Sequence, residues 1–149
     1  MTFFLNIATI VSLALLIGTE FAVSAFVNPV LWKLDEFAQA TAIRMFARKL
    51  GKAMPFWYAG SLVLLGWIWV LERGVEHAHL LLGAAAIWVA VIVFTLVFLV
   101  PINNRMAQLD PQSLTAEARR EHHTWDAMHR ARVAALTAAF VCLVAASVR

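Results

Sequence analysis

The chain is poor in charge. Asp, Glu, Lys and Arg make up only 14% of its 149 residues, too few to solvate the surface of an ordinary soluble domain. Its one cysteine, Cys142, lies inside an apolar run, which excludes an internal disulfide and leaves a small packing residue. There is no phosphate-binding glycine loop, no Cys-x-x-Cys and no Gly-x-Ser-x-Gly element, so P-loop, dithiol and serine-hydrolase chemistry lack sequence support. Internal repeats and low-complexity tracts are not evident. What the chain has in abundance is apolar: 62% hydrophobic residues and a mean hydropathy of +0.78 place it among membrane proteins.

A span needs about 20 apolar residues at about 1.5 Å of rise each. Four runs qualify or come close, at residues 3–27, 56–71, 80–102 and 129–148. Lipid leaves no partner for unpaired backbone groups, and continuous runs of this length exclude a barrel. The expected fold is all-α: one membrane domain over residues 1–149, built as a four-transmembrane-helix bundle. Val23-Ser24-Ala25 resembles a signal-peptidase site, but the preceding stretch has no Lys or Arg and Glu20 interrupts the run, so an uncleaved first helix is expected.

Basic residues set the orientation. Lys33, Arg44, Arg48, Lys49 and Lys52 crowd the first connection, and Arg105, Arg119, Arg120, Arg130 and Arg132 the third; the second has only Arg73. The expectation is a multi-pass protein of the plasma (inner) membrane with both termini outside the cytoplasm. Topology and anionic lipid then explain the net charge of +3 without a nucleic-acid partner. Residues 43–54 read as a cytoplasmic amphipathic helix, with Arg44, Arg48 and Lys52 opposite Ile43, Phe46, Ala47, Leu50 and Met54. It is expected to lie at the interface and lead into the second span, where Pro55 suits the first turn; a gate over a cytoplasmic cavity is the alternative. Asp110-Pro111 marks a turn, Ser113 or Thr115 caps the fourth helix, and that helix begins well inside the cytoplasm.

The chemistry centres on Glu20. A carboxylate at that depth costs roughly 2.5–3.5 kcal/mol on insertion scales, so it asks for a partner or a function. Ser24 and Asn28 follow it at one and two turns, and Asn6 and Thr9 lie roughly in line toward the other end. On the fourth helix His122, Trp125, Asp126, His129, Arg132, Val133 and Leu136 share a side. These stripes face inward and imply a polar cavity open to the cytoplasm, floored by Glu20 and rimmed by Asn28, Asn103, Asn104, His129 and Arg132. Equally, Glu20 and Arg132 form a purely structural ion pair on the same pattern, and Asn103 and Asn104 simply end a helix. Glu20, His122, Asp126 and His129 also make a set of the type that ligates a divalent metal, although ordinary cytoplasmic helix faces carry the same residues. His122 and His123 otherwise belong to a solvated surface, as do Glu76, His77 and His79 on the outer side. The alanines of the fourth helix permit close helix approach, within a protomer or in a homo-oligomer.

Three segments carry a family likeness: Phe26-Val27-Asn28-Pro29 after Glu20, Val100-Pro101-Ile102-Asn103-Asn104, and Trp125-Asp126-Ala127-Met128-His129-Arg130-Ala131-Arg132. Together they resemble the anthrone-oxygenase-like membrane proteins. The resemblance implies oxidation of an activated aromatic methylene by molecular oxygen, with a hydrophobic aromatic small molecule as substrate and no cofactor demanded by the sequence. Such chemistry asks for a base, an oxyanion donor and an apolar slot. His129 is the candidate base, with Asp126 to fix its tautomer, or Glu20 in its place; Arg132, Asn103 and Asn104 are candidate oxyanion donors, and Asn28 and Trp125 line the slot. A non-catalytic protein that binds a small molecule or metal, its polar cluster structural, is the other class.

Overall fold

The computed structural model describes residues 2–148, and among these every regular element is helical. Helix α1 (Thr2–Ala22) passes through a π-helical turn, π1 (Val23–Val27), into α2 (Asn28–Leu31). Helix α3 (Glu36–Glu72) follows, then α4 (Ala78–Phe94), a second π-helical turn π2 (Thr95–Leu99), and α5 (Val100–Met106). Helix α6 (Ala116–Ser147) ends the chain. The result is four helices long and apolar enough to cross a membrane: Phe3–Leu31, Glu36–Glu72, Ala78–Met106 and Ala116–Ser147.

They close into a ring in which α1 packs on α3 and α6, and α4 packs on the same two. Two apolar cores fill it. The larger joins all four helices through Leu13, Leu16, Leu65, Trp88, Leu136 and Leu143. The smaller, made by Leu31, Ile43, Ala47, Ile102, Met106 and Ala118, closes the end that carries the Asp110-Pro111 turn. Lipid-exposed Phe3, Phe4, Leu15, Val63, Leu82 and Leu96 cover the outside, as a bilayer solvent requires.

Helix starts follow their caps. Asp35 accepts from the amide of Ala38 and Thr115 from that of Ala118, so Thr115 rather than Ser113 begins α6. The prolines behave differently from expectation. Residues 43–54 are not a separate interfacial helix: α3 runs unbroken through Pro55, and the apolar side of that stretch turns inward. Pro29 and Pro101 do not end their spans either. Each stands one residue after a wide turn, in which Asn28 N–H bonds to Val23 O and Val100 N–H to Thr95 O. A proline ring clashes with the carbonyl one α-turn back and offers no donor to it; widening the preceding turn relieves both problems and lets the helix continue.

Candidate functional site

Glu20 is buried and meets two other helices, α3 and α6. One carboxylate oxygen accepts from the Tyr58 hydroxyl at 3.0 Å, and the other accepts from Arg132 Nη2 at 2.5 Å. Arg132 is held from all sides: its Nη1 reaches Thr95 Oγ1 at 3.3 Å and its guanidinium carbon lies 5.6 Å from the Tyr58 ring centroid. The larger core supports this arrangement, because the indole of the fully buried Trp88 donates to the Tyr58 carbonyl at 3.1 Å.

His129 completes the cluster. Its Nε2 lies 3.0 Å from the main-chain carbonyl of Glu20, and its Nδ1 lies 2.9 Å from Arg132 Nη2. A carbonyl can only accept and a guanidinium can only donate, so Nε2 carries the proton and Nδ1 presents its lone pair to Arg132. The tautomer is therefore fixed by Glu20 and Arg132. Asp126, expected to do this, is taken up elsewhere: it accepts from Asn28 Nδ2 at 2.5 Å and pairs with Arg130 at 2.6 Å. Glu20 Oε2 waits 3.2 Å from His129 Nδ1. One donor capacity is left over, since Arg132 Nε is buried with no partner.

The cluster floors a cavity of about 410 Å³ whose walls are mostly apolar. Glu20, Asn28, Asn103, Asn104, Trp125 and His129 all border it, as does Arg132. The π-turns shape two walls. In π1 the inward positions are Val23 and Asn28, one wide turn apart, so Ser24 drops off the inward stripe expected of it. In π2, Thr95 is brought to Arg132 in the same way. The remaining wall is a close approach of α3 to α5, where Asn103 Nδ2 donates to the Ala47 carbonyl at 3.2 Å and a Cβ on Gly51 would lie 2.7 Å from that nitrogen.

The small core closes the loop end, and the exposed lining residues are confined to α3 (Phe46, Gly51, Pro55 and Ala59) and to the third span (Leu96 and Asn104), so the exposed side of the cavity lies between those two helices.

Aromatic rings form the approach on the α6 side. Trp125 lies between two imidazoles, stacked on His129 with centroids 4.7 Å apart and on His122 at 5.8 Å; Trp32 stacks on His123 at 3.7 Å. His122 is therefore buried instead of solvated. With an indole between the histidines and Asp126 bonded to Asn28 and Arg130, the set of Glu20, His122, Asp126 and His129 does not converge. Among the described residues no group of three His, Cys, Asp or Glu side chains is placed to hold a metal ion. At the end of the bundle that carries the α3–α4 connection, Glu72 accepts from Asn6 at 3.2 Å and lies 3.5 Å from His77.

Tyr58, Thr95, Trp88 and Trp32 were not singled out from the sequence. Pro29 and Pro101, each following a Phe by three residues, were its only trace of the paired π-turns. No curated protein and no solved structure matches the chain. The family model described as anthrone oxygenase matches residues 42–142, a stretch that takes in Tyr58, Thr95, His129 and Arg132. With more than half of its length matched, the chain belongs to the anthrone oxygenase family.

Proposed function

We propose that this membrane protein is an oxygenase-type enzyme that oxidises an activated aromatic methylene of the anthrone type to the ketone, using molecular oxygen. The observation that carries the reading is the unpartnered Nε of Arg132, a buried cationic donor beside the lone pair of His129 at the floor of an apolar cavity. A buried donor without an acceptor is costly, and a bound oxyanion removes that cost. The volume falls at the small end of the roughly 300–1,000 Å³ typical of ligand pockets, in keeping with a flat tricycle.

In this scheme the substrate oxygen binds Arg132 and the acidic proton passes to His129 Nδ1. The new N–H turns to Glu20 Oε2, 3.2 Å away. One ion pair, Glu20 with Arg132, thereby becomes two, Glu20 with His129 and Arg132 with the enolate, and the cluster gains no net charge. The electron-rich enolate gives one electron to oxygen, and the resulting radicals join through a carbon–oxygen bond; with a proton from His129 the product is a hydroperoxide. Loss of the second methylene hydrogen as a proton, with cleavage of the oxygen–oxygen bond, leaves a ketone and water. The sum is CH2 plus O2 to C=O plus H2O. Asn28, Asn103, Asn104 and Trp125 shape the slot, and both termini face away from the cytoplasm in the plasma membrane.

Protein in lipid nanodiscs supplied with anthrone should take up one oxygen molecule per anthraquinone formed. Labelled oxygen should appear once in the product. A rate no higher than that of empty nanodiscs would refute the assignment. A purely structural clasp is the competing reading, favoured by the fact that both Glu20 oxygens and both His129 nitrogens already have partners.

A further inference from the structure

Helix α3 touches the third span on both sides of π2, at α4 and at α5, while the cavity mouth lies between these contacts. Asn103 closes the α5 side through its bond to the Ala47 carbonyl, so on the third span the mouth lies around Leu96, with Pro55 and Ala59 as exposed lining residues on α3. Leu96 sits about 9 Å inside residue 102, where the sequence places the end of the hydrocarbon. It is 60% exposed, and Phe46 across the mouth is 42% exposed. No Lys, Arg, Asp or Glu lies among the exposed lining residues; the only exposed polar side chain there is Asn104, at the loop end. The ion pair is at the far end, on the floor.

We infer that ligands enter this cavity sideways from the bilayer, through the slit between α3 and π2, and that the ligand class is a neutral, lipid-dissolved phenol or enolisable ketone. An aqueous anion would have to shed its hydration against apolar side chains before it met Arg132. A neutral molecule already in the acyl region has no such cost, and its one acidic oxygen finds its donor only on arrival. The gap coincides with π2, which is not packed on α3 as α4 and α5 are on either side of it. The inference rests on reading the cavity as a ligand site, but not on any oxidation there.

The test is a binding-rate measurement in nanodiscs with 2-naphthol, a fluorescent neutral phenol, and with its membrane-impermeant 6-sulfonate. Leu96→Trp and Ala59→Trp narrow the slit from opposite sides; Leu15→Trp is an equally exposed control on α1, which does not border the slit. Each slit variant should slow both association and dissociation of 2-naphthol about tenfold and leave Kd nearly unchanged, as expected when a passage and not a site is altered. Phe46→Ala should speed both, Leu15→Trp should change neither, and the sulfonate should fail to compete. Rates unaffected by both slit variants, an equally rapid sulfonate, or no binding of 2-naphthol would overturn the inference. Slit-sensitive binding without anthrone-dependent oxygen uptake would instead refute the oxygenase assignment and leave the route standing.

Discussion

At the scale of the residue, the site is a contest over two donors and one carboxylate. Arg132 Nη2 serves Glu20 and His129 at once, at 2.5 and 2.9 Å, so removing either anionic or cationic partner strands the other in a dry interior. Glu20→Gln or Arg132→Met should each cost about 3–5 kcal/mol of stability, and the double variant should regain much of the loss; unfolding titrations of all four proteins check this. Glu20, His129 and Arg132 were legible in the sequence because ionisable groups in apolar helices are expensive and must converge. Tyr58 and Thr95 were not, since hydroxyls are ordinary in membrane helices and only the register of α3 and π2 brings these two to the ion pair.

At the scale of the element, two devices place these residues: the proline-linked π-turns and the glycine contact between α3 and α5. Pro55 was read from sequence as standing in the first turn of a helix, where a missing N–H costs least. Instead α3 runs through it, and at Pro29 and Pro101 the helix widens and continues, to Leu31 and Met106. The reading of Pro55 hid the fact that Phe46, Leu50 and Met54 line the cavity. Pro101→Ala should restore a backbone donor and let π2 relax toward an α-turn. The expected outcome is a melting temperature equal to or above that of the parent together with a loss of oxygen uptake, because Thr95 and the slit shift while packing is retained. Gly51→Ala should displace the Asn103 amide from the Ala47 carbonyl and cost about 1 kcal/mol, measured by the same unfolding titration.

At the scale of the whole molecule, the ring of four helices leaves one lateral opening between two solid cores, and the basic connections decide which leaflet it serves. In the proposed orientation, with the first and third connections in the cytoplasm, the slit would lie toward the inner leaflet and Glu72 toward the outside. A Ser113→Cys protein in a Cys142→Ser background should react with an impermeant thiol reagent only in inside-out vesicles; labelling in intact cells would reverse the orientation. The composition alone specified a membrane bundle, whereas the sideways mouth depended on how α3 and the third span part company at π2. The central claim is that His129, backed by Glu20 and facing Arg132, accepts a proton from a substrate inside the membrane. Anthrone-dependent oxygen uptake by folded His129→Asn protein in nanodiscs tests it most directly. The expected rate is about 10²–10⁴-fold below that of the parent, the usual contribution of a positioned base; a rate equal to the parent's would contradict the account.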